Sequence, residues 1–178
     1  MLYLIDANVL IDANNRYYPL NRIPQFWGWV IQQAQAETIK MPIQAIGEIQ
    51  RYDAIEDSPE DHLLEWIEAH LDLLEFRQEP IVSTVLKTYE DGYGIRVGDA
   101  TLGDLDLVSQ SADPFLVSYA LERPEDRCVV TLEKVQTVGS TLPKPENRKI
   151  PLVCKLLELR CIDTFQLIRE LDFRIPEL

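Results

Sequence analysis

Leu2-Tyr3-Leu4-Ile5-Asp6 is the stretch that decides the fold, because four apolar residues lead directly into a carboxylate. A short apolar run of this kind predicts a buried strand. In open α/β sheets, ligands bind in the crevice beyond the carboxyl ends of the strands. We therefore expect Asp6 to lie at that edge of a sheet and to take part in the chemistry of the protein.

A second junction of the same type occurs late in the chain. The run Arg127-Cys128-Val129-Val130-Thr131-Leu132-Glu133 again joins a short β-branched segment to a hydroxyl group and an acid. Two strands could thus bring polar side chains to one edge of the sheet. Between them, hydrophobic periodicity predicts alternating helices and strands, a pattern typical of α/β folds with a parallel sheet. Helices are predicted over about 24–36, directly after Pro42, and over 59–76, 82–89, 150–159 and 164–171. Short strands are predicted over 38–41 and 161–162.

Capping residues mark the predicted start of two of these helices. Ser58 is a suitable N-cap before Pro59 for the helix over 59–76, and Asp163 is a suitable N-cap for the last helix. In the helix after Pro42, Glu48 falls on the border of the apolar face. This helix therefore offers a further acid near the predicted core.

Composition limits the classes of function. A chain of 178 residues with 46% hydrophobic residues is expected to form a single domain over 1–178. The sequence contains neither a signal-peptide pattern nor an apolar stretch long enough to cross a bilayer, so we expect a cytoplasmic protein that does not bind membranes. The net charge of -13 argues against a protein that coats nucleic acid. It is compatible with a nuclease, because metal sites need clustered acids.

Basic residues concentrate in the later part of the chain. Lys144, Arg148 and Lys149 are the predicted contacts to an RNA backbone. For each residue taken alone, a solvated loop explains the positive charge equally simply.

Asp113 has two interpretations that the sequence leaves open. With Pro114 after it, Asp113 has the features of a helix N-cap. It also shares helical spacing with Leu116, Val117 and Ala120, which predicts that its carboxylate points inward. An inward carboxylate needs a partner, and a metal ion would provide one.

Taken together, these motifs resemble a PIN domain over most of the chain. The resemblance implies a three-layer α/β/α fold around a mostly parallel sheet and the activity of an Mg²⁺- or Mn²⁺-dependent ribonuclease, of which the VapC-like toxins of bacterial toxin–antitoxin pairs are examples. It also implies RNA as substrate, a cognate antitoxin as partner and a homodimer. The site residues that it implies are four metal-binding acids, Asp6, Glu48, Asp113 and Glu133, supported by Asn8 and Thr131.

The chain departs from the family pattern at one of these positions. Glu133 stands where the family usually has aspartate, so its carboxylate is displaced outward by one methylene. Three acids in the long segment over 77–103 and just beyond it, Asp99, Asp104 and Asp106, are alternatives to Glu133 or Asp113 as a ligand. A surface charge run is the simpler interpretation of those three.

Two rival functions belong to other classes. The run from Asp6 to Leu10 faintly resembles the nucleophile loop of haloacid-dehalogenase-like phosphatases, but Asn8 replaces the second acid and cannot transfer a proton as a carboxyl group does. The other rival is a PIN-like module with a weakened site that binds RNA or protein, since a fold does not guarantee activity. Metal-dependent RNA cleavage that is lost on replacing Asp6 separates the nuclease from both rivals.

Overall fold

The centre of the fold is an all-parallel sheet whose strands run in the order β3-β2-β1-β4-β5 among the described residues. A computed structural model describes residues 1–56, 62–96, 111–137 and 141–175, and for residues 51–56 it describes the backbone alone. The strands are β1 (Leu2–Ile5), β2 (Ile39–Pro42), β3 (Glu75–Phe76), β4 (Arg127–Val130) and β5 (Cys161–Ile162).

The α-helices of the described residues connect these strands. They are α1 (Ala7–Asp12), α2 (Pro24–Gln35), α3 (Ile43–Glu56), α4 (Leu63–Ala69), α5 (Leu71–Leu74), α6 (Val82–Lys87), α7 (Asp113–Glu122), α8 (Ile150–Leu156) and α9 (Thr164–Glu170). Two π-helical segments, Ala13–Tyr17 and Thr88–Tyr93, continue α1 and α6, and Pro145–Asn147 forms a 3₁₀ turn.

The strand order places a topological switch point between β1 and β4. From β1 the chain moves outward through β2 to β3, and it then returns to the other side of β1 to form β4 and β5. Ile5 is paired with Val130, so the residues that follow the two strands emerge side by side. A crevice forms at such a point, and it is the usual ligand-binding position in open α/β sheets.

Alternating side chains of β1 pack on opposite faces of the sheet. Tyr3 and Ile5 belong to a core that includes Trp27 of α2 and Leu167 of α9. Leu4, which is fully buried, belongs to a second core formed with α7 and α8. Helices therefore cover both faces, and the predicted α/β/α fold with a parallel sheet is confirmed.

The single helix predicted over 59–76 is wrong in two respects within the described residues: it is interrupted at His70, and it ends at Leu74, before the strand Glu75–Phe76. The chain leaves the helix at His70, which has φ −122° and ψ 16°, and α5 then turns it into β3. There Glu75 pairs with Met41, and Phe76 pairs with Pro42. Apolar spacing could not predict this strand, because two residues are too few to show a period of two.

Asp113 is not an N-cap, contrary to one of its two interpretations. Ala112 occupies the capping position, Asp113 is the first residue of α7, and Pro114 is the second. Asp163, in contrast, is confirmed as an N-cap, because its carboxylate accepts a hydrogen bond of 2.7 Å from the backbone N–H of Gln166.

Several predictions concern residues outside the described ranges, namely Ser58, Pro59, Asp99, Asp104 and Asp106. Within the described part of the chain, no helix is both long enough and apolar enough to cross a membrane.

Candidate metal centre

Three carboxylates from separate elements meet at the carboxyl edge of the sheet. Asp6 follows β1 directly, Glu48 lies in α3 just after β2, and Asp113 begins α7. One oxygen of each carboxylate lies within 4.8 Å of the others. The convergence predicted for Asp6, Glu48 and Asp113 is therefore present in the structure.

Polar residues at the switch point hold Asp6 in place. Its Oδ2 atom accepts hydrogen bonds from the Thr131 hydroxyl at 2.8 Å and from the Asn8 amide at 2.5 Å. Asn8 also donates to Thr131 Oγ1 at 3.1 Å and accepts from the backbone N–H of Leu132 at 2.9 Å. Asn8 and Thr131 therefore join the loops after β1 and β4 and fix one oxygen of Asp6, which leaves Oδ1 for other contacts.

Glu48 joins α3 to the beginning of α7. Its Oε1 atom accepts a hydrogen bond of 2.7 Å from the backbone N–H of Ala112. The next N–H, that of Asp113, donates to Ser111 Oγ at 3.3 Å. These bonds satisfy two N–H groups at the start of α7, which have no partner within the helix itself, and they place Glu48 next to Asp113.

Burial and mutual repulsion raise the pKa of two of the acids. Asp6 is 3% exposed, and burial followed by the charge of Asp113 raises its pKa to about 7, against the opposing hydrogen bond from Thr131. Burial and then the charges of Glu133 and Glu48 raise the pKa of Asp113 to about 7 as well. Without a cation, these groups are therefore costly to ionise together.

Glu133 lies near this cluster, and both oxygens of its carboxylate have protein partners. Its Oε1 atom forms an ion pair of 2.7 Å with Lys149, and its Oε2 atom accepts a hydrogen bond of 2.7 Å from the backbone N–H of Ile150 at the start of α8. Among the described residues, the cluster of carboxylates that could hold a metal ion contains Asp6, Glu48 and Asp113 and does not include Glu133. Its role as a further ligand stays a prediction.

The three predicted RNA contacts have different surroundings. Lys144 is exposed, and the Lys149 side chain is 53% exposed although it is paired with Glu133. Arg148 is half-buried, and its guanidinium donates to the backbone oxygens of Gly92 at 2.7 Å and Pro143 at 3.2 Å. Arg148 therefore supports a turn of the protein itself, and RNA contact by these three residues stays a prediction.

The donor set fits a hard divalent cation. All three groups of the cluster offer carboxylate oxygens, the donors that Mg²⁺ and Mn²⁺ prefer over nitrogen or sulfur. Burial first, and then the negative charges of the neighbouring acids, raise the pKa values of Asp6 and Asp113, and a bound cation would stabilise their ionised forms. The residues present are thus chemically suited to the ion that the sequence predicts.

The sequence patterns do not single out Tyr93, which lies at the end of the π-helical segment Thr88–Tyr93. The side chain is 6% exposed, and within the described part of the chain its phenolic oxygen has no hydrogen-bond partner. The only signal in the sequence is the glycine-flanked run Asp91-Gly92-Tyr93-Gly94.

Fold and site together define a class of protein: an α/β/α protein with a parallel sheet and an acidic cluster at the carboxyl edge of that sheet. Within this class, the chain belongs to the family described as Domain of unknown function (DUF4411), whose model matches residues 3–175. No curated protein and no solved structure matches the chain.

Proposed function

We propose that this protein is a metal-dependent endoribonuclease of the PIN type, which hydrolyses RNA phosphodiester bonds at the carboxyl edge of its sheet. One observation carries the proposal: Asp6, Glu48 and Asp113 come from distant parts of the sequence and converge within 4.8 Å at the switch-point edge. Clustered carboxylates are costly without a cation, so their convergence favours a metal-binding function over a purely structural one.

The proposed roles of the residues follow from their contacts. Asp6, Glu48 and Asp113 bind Mg²⁺ or Mn²⁺, and Thr131 and Asn8 orient Asp6 through hydrogen bonds to its Oδ2 atom. These carboxylates would hold the ion, which would supply an activated water and stabilise negative charge on the phosphodiester. Glu133 holds Lys149 at the margin of the cluster, where this exposed ammonium group can contact a neighbouring phosphate of the RNA.

The toxin role is a further part of the proposal and rests on the resemblance to PIN domains. On this basis the protein acts on RNA in the cytoplasm, forms a homodimer and is inhibited by a cognate antitoxin. Growth arrest on expression, relieved by co-expression of a small neighbouring gene product, would support this role. Normal growth with an active ribonuclease would remove the toxin role and leave the nuclease intact.

RNA cleavage is the test of the proposed activity. The purified protein should cleave a labelled single-stranded RNA in Mn²⁺ or Mg²⁺ and be inactive in chelator, because every proposed reacting group depends on the cation. Asp6→Asn and Asp113→Asn should abolish cleavage while the circular dichroism spectrum is retained. Glu65→Gln is the matched control, since Glu65 is an 80% exposed acid of α4, and it should leave the rate unchanged.

Two outcomes would contradict the nuclease. Full cleavage by Asp6→Asn would show that the cluster does not perform the reaction. A trapped phospho-aspartate at Asp6, with no RNA cleavage by the wild-type protein, would identify an aspartate-nucleophile phosphatase instead.

A further inference from the structure

The phenol of Tyr93 is a buried polar group without a partner. Its side chain is 6% exposed, and its oxygen has no hydrogen-bond partner among the residues that the structure describes. A hydroxyl group in this position costs free energy, because it has lost water without gaining a protein partner. Phenylalanine would fill the same space without this cost, so the hydroxyl group requires an explanation.

The position of Tyr93 connects it to the acidic cluster. Its ring packs in the core shared by Leu116 of α7 and Ile150 of α8. Helix α7 begins at Asp113. In α8, the backbone N–H of Ile150 donates a hydrogen bond to Glu133. Burial raises the pKa of Tyr93 well above its ordinary value, and the largest further contribution is the negative charge of Asp113. The phenol therefore lies in the electrostatic field of the site.

The backbone around Tyr93 is tightly fixed. Gly94 has φ +76°, and a Cβ atom at this position would lie 2.8 Å from the guanidinium nitrogens of Arg148. The same guanidinium donates to the backbone oxygen of Gly92, where a Cβ atom would lie 2.7 Å from Val153 Cγ1 of α8. Tyr93 is thus placed by two glycines and an arginine at the end of a π-helical segment, a type of irregularity often found at functional sites.

We propose that Tyr93 is a positioning residue whose phenolic O–H orients the Asp113 carboxylate when that carboxylate binds the cation. The inference rests on the proposed metal-dependent function and adds a residue to its site. Ligands of metal ions are commonly held by hydrogen bonds from neighbouring groups, and the loss of such a bond typically weakens metal binding 10- to 100-fold. Asp6 already has this support from Thr131 and Asn8, and Tyr93 provides the equivalent for Asp113.

Titration calorimetry with Mn²⁺ in the absence of RNA tests the proposal. Tyr93→Phe removes the hydroxyl group alone and should weaken Mn²⁺ binding about 10-fold or more. In chelator, the melting temperature of this variant should equal or exceed that of the wild type, because the unpartnered group is gone. Tyr89→Phe is the matched control, since Tyr89 is 7% exposed in the same π-helical segment and burial alone raises its pKa. Its Mn²⁺ affinity should be that of the wild type.

The possible failures are distinguishable. Wild-type affinity in Tyr93→Phe would overturn the positioning role while leaving the metal site intact. A lower melting temperature in chelator with unchanged affinity would assign the hydroxyl group to folding and overturn the proposal as well. If the wild-type protein binds no Mn²⁺, the proposed function fails together with this inference.

Discussion

Replacing Asp6 by Asn should stabilise the metal-free protein at pH 8. Burial, followed by the charge of Asp113, raises the pKa of Asp6 from 3.8 to about 7. At about 1.4 kcal/mol for each pKa unit, this rise corresponds to about 4 kcal/mol of unfavourable free energy once the buried carboxyl group is ionised. Asparagine removes the charge and can still accept hydrogen bonds from Thr131 and Asn8.

The net gain is smaller than this value, because the two hydrogen bonds weaken when their acceptor becomes neutral. A loss of about 1 kcal/mol for each bond leaves a stabilisation of about 2 kcal/mol. For a domain of this size, that corresponds to a rise in melting temperature of about 4–8 °C.

The effect should depend on pH in a defined direction. Because the native pKa of Asp6 lies above its unfolded value, the native state binds more protons between pH 3.8 and about 7. The contribution of Asp6 to the stability of the wild-type protein is therefore fully present below pH 3.8 and is lost as the pH rises through about 7. The advantage of Asp6→Asn should vanish near pH 4 and be largest near pH 8.

Thermal scans in chelator at pH 4 and pH 8 measure this difference. Glu125→Gln, at an exposed acid between α7 and β4, controls for the change in net charge and should not alter the melting temperature at either pH. A destabilised Asp6→Asn at pH 8, or a gain of the same size at both pH values, would refute the argument that Asp6 is held in an unfavourable charged cluster.

Three further predictions concern the surroundings of the cluster. Thr131→Val removes the hydrogen bond that lowers the pKa of Asp6. The pH midpoint of Mn²⁺ binding, measured by titration calorimetry, should therefore move upward. An unchanged midpoint would mean that Thr131 does not act on Asp6. Glu133→Gln weakens the bonds to Lys149 and Ile150 but also removes a charge that raises the pKa of Asp113, so its melting temperature in chelator should fall more at pH 5, where Asp113 is protonated, than at pH 8. At pH 8, Mn²⁺ should still raise the melting temperature by most of the wild-type shift, and loss of that shift would make Glu133 a metal ligand. In the Asp6→Asn background, replacing both Lys144 and Lys149 by Ala should weaken RNA binding. It should also reduce the slope of log affinity against log salt by about 1.4, because each phosphate contact on a single strand contributes about 0.7. An unchanged slope would assign both lysines to solvated surface.

The sheet and the acids at its edge could be predicted because their signals are local. The apolar runs before Asp6 and Thr131 are short, β-branched or aliphatic, and end in polar residues, and both strands form where these runs occur. Parallel strands end at a common edge, so their proximity follows once the sheet order is known. Asp113 was also expected to point inward from its helical spacing.

The features that escaped prediction depend on contacts between distant residues. Both oxygens of the Glu133 carboxylate have protein partners, the Lys149 ammonium group and the backbone N–H of Ile150, and neither the type nor the spacing of Glu133 indicates this pairing. The strand Glu75–Phe76 exists because Met41 and Pro42 provide a partner for it. Tyr93 is defined by packing against two helices that are remote in the sequence.

The central claim is that Asp6, Glu48 and Asp113 together bind a divalent cation. Anomalous diffraction from crystals grown with Mn²⁺ tests it directly, since manganese can be located without reference to the protein atoms. The account predicts a strong anomalous peak in contact with all three carboxylates in the wild-type protein and its absence in Asp113→Asn. A wild-type map with no peak at these residues, or an undiminished peak in the variant, would contradict the claim.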